Sequence, residues 1–139
     1  MGDSENKAVV RRMFDEVVNN GRMELIDELF DPAFTSRTPQ GDMDREGFKA
    51  FVAAWRGAFP DIRCEVSQLT AEDDRVAWAV RATGTHEGDF QGIPATGRRV
   101  DFESLNIGQF RDGKAVRHTV LMDLQTMMEQ LGVAVAPAG

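Results

Sequence analysis

Apolar positions recur at helical spacing through the first third of the chain and at every second position further on. Val9, Val10, Met13, Phe14, Val17 and Val18 share one helical face. Ser4 stands where an N-cap belongs, with Glu5 in the first turn. Asn20-Gly21 stops that helix, because glycine accepts the left-handed conformation of a C-cap. Met23, Ile26, Leu29 and Phe30 predict a short second helix ended by Pro32. Phe34-Thr35 reads as a short strand. Asp44 is placed to cap a third helix with Phe48, Phe51, Val52, Trp55 and Phe59 as its apolar stripe, and Pro60 closes it. After Asp73-Asp74, a turn, the period changes to two: Val76, Trp78, Val80 and Ala82 alternate with Ala77, Ala79, Arg81 and Thr83. Residues 84–97 hold four glycines and Pro94 and read as a long hairpin connection. Strands follow at 99–110 and 115–122, joined at Arg111-Asp112-Gly113. Asp123 caps a last helix carrying Leu124, Met127, Met128 and Leu131, which Gly132 ends. Only 133–139, short and rich in alanine, proline and glycine, reads as a loose tail.

Helices, then a meander of strands, then one more helix is an α+β order. Long twisted antiparallel strands curl around helices laid on one face. The expected result is a single domain over 1–139, a cone-shaped sheet wrapped by three N-terminal helices with a short C-terminal one. Its interior is core at one end and pocket at the other.

The strand at 100–110 departs from simple alternation. One face carries Val100, Phe102, Ser104, Asn106, Gly108 and Phe110, apolar at both ends and polar in the middle; the other carries Asp101, Glu103, Leu105, Ile107 and Gln109. Either it is an imperfectly patterned edge strand, or Ser104 and Asn106 line a small-molecule pocket. Pairing parity decides which residues join them. A two-residue Asp112-Gly113 loop sets Ile107 opposite His118. A three-residue Arg111-Asp112-Gly113 loop sets Asn106 opposite His118 and Ser104 opposite Val120, and gathers the apolar residues on one face. The second register is preferred. It makes His118 either a satisfied core histidine or the pocket's acid–base group.

The remaining candidates each have a structural alternative. Asp61, after Phe59-Pro60 at a helix-to-strand junction, is a turn residue or a carboxylate for the cavity. Trp55 belongs to the core stripe or walls the pocket. Arg37 is a surface arginine or an anchor for an anionic oxygen. His86, in the glycine-rich connection, is expected to be exposed. Leu105, Ile107 and Leu121 leave the outer sheet face more apolar than a small monomer comfortably carries, which points to a homodimer.

Composition narrows the chemistry. The chain has 139 residues and a net charge of −7, which fits one domain and argues against nucleic-acid binding, as does the lack of any basic stripe. No apolar run approaches membrane-spanning length. A single cysteine, Cys64, leaves no intramolecular disulfide, so a cytoplasmic location is expected. Two separated histidines and one cysteine do not form a Cys/His zinc site. Nucleotide-binding glycine loops and a nucleophile elbow are missing.

The segments AAWRGAFPDI, GTHEGDFQGIPATGRRVDF and DGKAVRH…MD…MMEQLGV resemble the SnoaL-like polyketide cyclase family, within the superfamily named after nuclear transport factor 2. The resemblance spans nearly the whole chain. It implies a conical α+β barrel with a deep apolar pocket, usually dimeric, acting on aromatic polyketides by acid–base chemistry without metal or organic cofactor. It carries the family's last-strand histidine onto His118, the general-base aspartate onto Val120, a second polar position onto Asn106, and an early-strand histidine onto Arg37. A valine cannot take a proton, so ring-closing chemistry is in question, and hydroxylation, linked to relatives without the base, becomes an option. The resulting expectation is a tailoring enzyme for an aromatic substrate. His118, Asn106 and Asp61 are its catalytic candidates, and Arg37, Trp55, Ser104, Phe102 and Val120 bind. The alternative is a non-catalytic binding or dimerisation module of the same fold.

Overall fold

The computed structural model describes residues 2–133. The tail expected from 133 therefore lies, past Val133, outside the described residues. Four helices and six strands follow in the order α1 (Gly2–Arg12), α2 (Leu25–Leu29), β1 (Phe30–Thr38), β2 (Gly41–Asp44), α3 (Arg45–Ala58), β3 (Arg63–Glu72), β4 (Arg75–Thr85), β5 (Arg99–Arg111), β6 (Lys114–Met122) and α4 (Leu124–Leu131). A wider, π-helical winding, Met13–Val18, extends α1 and buries Met13, Phe14, Val17 and Val18. The strands form one curved mixed sheet, β2-β1-β6-β5-β4-β3, in which only β1 and β6 run parallel. The three N-terminal helices pack their apolar faces into its concavity, as the α+β cone requires.

Caps account for the sharper helix boundaries. Asp44 accepts the Gly47 backbone N–H at 2.8 Å, and Asp123 accepts that of Thr126 at 3.1 Å. Gly132, with φ of +76°, closes α4. Ser4, expected as a cap, lies inside α1 instead. Phe30 begins β1 rather than ending α2, and Pro32 sits within that strand. β1 runs well past the expected Phe34-Thr35 and turns into β2, which no period-two run announces.

The β5–β6 hairpin corrects the preferred register. Arg111 pairs with Lys114 across a two-residue loop. Asp112 and Gly113 both have positive φ, 53° and 75°, as a type I′ turn requires. A bulge then follows: Phe110 pairs with Ala115, but Gln109 pairs with Arg117, so Val116 is an extra residue on β6. Beyond it Gly108 faces His118 and Asn106 faces Val120. The inward set is therefore the expected one, displaced by two residues along β5.

His86 is fully buried, not exposed. Its Nδ1 accepts the Thr96 backbone N–H at 3.2 Å and lies 3.0 Å from the Thr96 hydroxyl, and its ring packs on Phe59. The glycine-rich connection is thus folded onto its own histidine.

Candidate active site

The cavity lies between α3, the end of the α1 extension and the inner face of β4–β6. Phe48, Phe51, Val52 and Trp55 of α3 form one wall, with Phe14 and Val18 beside them. Val80 and Ala82 of β4, Phe102, Ser104 and Asn106 of β5, and His118, Val120 and Met122 of β6 form the other. The empty space is about 590 Å³, part of it open to solvent. Helical spacing puts Trp55 on the same face as Phe48 and Phe51, and it packs on Phe59, Phe90 and Phe102 at ring distances of 4.7–5.7 Å.

Polar groups enter this apolar space as a single row. The Ser36 hydroxyl lies 3.1 Å from His118 Nδ1, and His118 Nε2 lies 2.8 Å from Asn106 Oδ1. Asn106 Nδ2 donates to the Ser104 hydroxyl at 3.1 Å. Ser36, Asn106 and His118 are buried; Ser104 is half-buried at the cavity wall. His118 stacks on Trp78, with ring planes 8° apart, and meets the edge of Phe48. Burial holds its pKa down at about 4, because the charged imidazolium is desolvated there. The ring is therefore neutral at pH 7. Cys64, also at the wall, has its thiol pushed up to about 12 by burial and is not a nucleophile at neutral pH.

Of the residues singled out from the sequence, His118, Asn106, Ser104, Phe102, Val120 and Trp55 meet at this cavity. Arg37 and Asp61 do not. In β1 the inward parity belongs to Phe34, Ser36 and Thr38, so Arg37 points outward, 75% exposed, and pairs with Asp42 at 3.6 Å. Asp61 is exposed and clasps the end of α3 to β4, accepting the Thr85 backbone N–H at 2.7 Å and its hydroxyl at 2.8 Å. These bonds, the backbone one foremost, hold its carboxyl below the usual range, so it stays ionised and outside the pocket. Ser36 is the residue sequence reasoning missed. Phe34 carried the signal, since fixing it as inward fixes Ser36 inward and Arg37 outward. No carboxylate lines the cavity, and among the described residues no three His, Cys, Asp or Glu side chains gather as a metal site needs.

The sequence pattern of the family described as SnoaL-like polyketide cyclase matches residues 8–131. Nogalonic acid methyl ester cyclase of Streptomyces nogalater is 29% identical over 118 residues, 82% of this chain and 88% of that one. A Jannaschia sp. CCS1 protein, solved under a SnoaL-like polyketide cyclase assignment, superposes with a TM-score of 0.86 at 27% identity, covering 95% of this chain and 94% of that one. AclR of Streptomyces galilaeus, assigned as a hydroxylase, superposes with a TM-score of 0.84 at 28% identity, covering 96% and 85%.

Proposed function

The chain belongs to the SnoaL-like polyketide cyclase family, and on that premise we propose that it tailors an aromatic polyketide by acid–base chemistry at an enolisable carbonyl. His118 and Asn106 hold the proton, Ser104 contacts a substrate oxygen, and Trp55, Phe102 and Val120 pack the rings. The observation that carries this reading is the cavity lining, one hydrogen-bonded row of neutral polar groups in an otherwise apolar space. Such a site takes flat rings by burial and orients them through a few polar contacts. A neutral imidazole accepts a proton at its unprotonated nitrogen once a substrate group displaces the partner there. General acid–base help of this kind contributes roughly 10²–10⁴-fold. Arg37 and Asp61, both outside the cavity, take no part.

Nogalonic acid methyl ester, the substrate in the relative's name, is the first compound to offer. Ring closure leaves its mass unchanged, whereas hydroxylation adds an oxygen atom, so mass spectrometry of the product separates the two reactions. His118→Gln keeps a polar side chain of similar reach and is expected to lower turnover by roughly 10²–10⁴-fold with the fold intact. Full activity in that variant would remove His118 from the chemistry.

A second reading is favoured by two observations: both His118 nitrogens are already engaged by protein groups, and Val120, two residues along the same face, lines the cavity at the position the resemblance gives to the family's aspartate. On it, the protein binds an aromatic ligand without converting it, and no substrate yields product. Under either reading the chain forms a homodimer, supported by Leu105, Ile107 and Leu121, which are 63%, 54% and 69% exposed on the outer sheet face.

A further inference from the structure

The row Ser36–His118–Asn106–Ser104 runs from the parallel β1–β6 pair to the cavity wall. A neutral imidazole has one N–H, and an asparagine amide has one donor end and one acceptor end. All protons in the row therefore run one way or the other. If His118 carried its proton on Nδ1, it would donate to Ser36. The Ser36 hydroxyl proton would then have no acceptor, because Ser36 is 1% exposed and its Oγ has no second side-chain or backbone partner among the described residues. A buried donor left unmade is the costly case. If Ser36 donates to Nδ1, His118 donates from Nε2 to Asn106 Oδ1 and Asn106 donates to Ser104 Oγ. The amide's second hydrogen is common to both arrangements, so only the hydroxyls distinguish them. In the second, the one hydroxyl proton without a protein acceptor is that of Ser104, which is half-buried at the cavity.

We infer that Ser36 is a positioning residue that sets the direction of this row, so that Ser104 presents a hydrogen-bond donor and the site takes a ligand bearing a carbonyl or enolate oxygen there. This rests on the small-molecule reading above and specifies the ligand's chemistry at one atom. A donor aimed at that oxygen also stabilises the negative charge that enolisation places on it.

Two measurements test it. Long-range ¹H–¹⁵N correlation on the labelled protein reads the His118 tautomer without any ligand, with His118→Gln used to separate its signals from those of His86. The expected form carries its proton on Nε2; a proton on Nδ1 overturns the inference and leaves the small-molecule reading standing. The second uses α-tetralone and its exocyclic-methylene analogue, which differ only in the carbonyl oxygen, with binding followed by tryptophan fluorescence. One hydrogen bond is expected to make the ketone bind about tenfold tighter. Ser104→Ala should abolish that preference. Ser36→Ala should shrink it while leaving the hydrocarbon's affinity unchanged, and Ser36→Thr should restore it. A ketone preference untouched by Ser36→Ala overturns the proposed role. Failure of both compounds to bind overturns the ligand assignment together with the small-molecule reading, and the tautomer then decides the direction of the row alone.

Discussion

His118 is held between an indole face and a phenyl edge, and both of its nitrogens are taken by neutral partners. Such a ring resists protonation, and the resistance is measurable as stability. Its pKa falls from 6.5 in the unfolded chain to about 4 in the folded one, so the unfolded state binds the proton first as pH drops. The stabilisation is fully present above pH 6.5 and is lost as pH falls toward 4, an effect of about 3 kcal/mol. Urea midpoints at pH 7 and pH 4.5 should differ accordingly, and His118→Gln should flatten most of that difference; an unchanged slope would refute the neutral buried ring. Asp61 and Asp123, whose carboxyls are held below their ordinary value by bonds to Thr85 and Thr126, act only at still lower pH. At this scale the sequence was legible where neighbours shared a parity. Asn106 and His118 were readable as inward because Phe102 and Phe110 share the parity of the first and Val120 that of the second. Arg37 was offered as an anchor because the resemblance sets a family histidine there, while the strand's phase, set by Phe34, turns it to solvent, as its surface alternative had it.

At the scale of elements, the caps at Asp44 and Asp123 were plain in the sequence and should behave as ordinary caps, whereas Ser4 was not one. Asp44→Ala removes the acceptor for the Gly47 N–H and is expected to lower stability by about 1 kcal/mol, read as a fall in the thermal midpoint. Gly108 was not legible as a packing position. A Cβ there would lie 2.9 Å from Phe110 and 3.2 Å from Trp78, the ring on which His118 stacks. Gly108→Ala is therefore expected to destabilise by roughly 1–3 kcal/mol and to change tryptophan emission, because two buried rings must move. A variant with wild-type stability and spectrum would show that the rings have room. β2 escaped sequence reasoning because its four residues, GDMD, are mostly exposed and carry no alternation; only its hydrogen bonds to β1 make it a strand. β3 was implied solely by the junction at Asp61, since Gln68 adopts positive φ at a bulge and breaks its period-two pattern.

For the whole molecule, the two distinct faces of β5 bear on the proposed homodimer. Leu105 lies directly opposite Leu121 on the outside, one position along from Asn106 and Val120 on the inside. Light scattering at micromolar concentration is expected to give twice the 15.4 kDa chain mass, and Leu121→Asp to halve it. A wild-type mass near 15.4 kDa would retire the dimer. The cone itself was legible from element order and the resemblance. The hairpin register was not, because Asp112-Gly113 and the bulge shift the pairing in steps whose sum alone decides which face is inside. That sum has a consequence for how this chain tolerates change. Val116 is a spare residue: deleting it lets Ala115 and Arg117 continue as neighbours opposite Phe110 and Gln109, and every inward side chain stays inward. Deleting Thr119 instead would turn Val120 outward and bring Leu121 in. A lineage could therefore lose a codon at one site in this hairpin silently, while the same loss three residues later would turn the rest of the strand inside out.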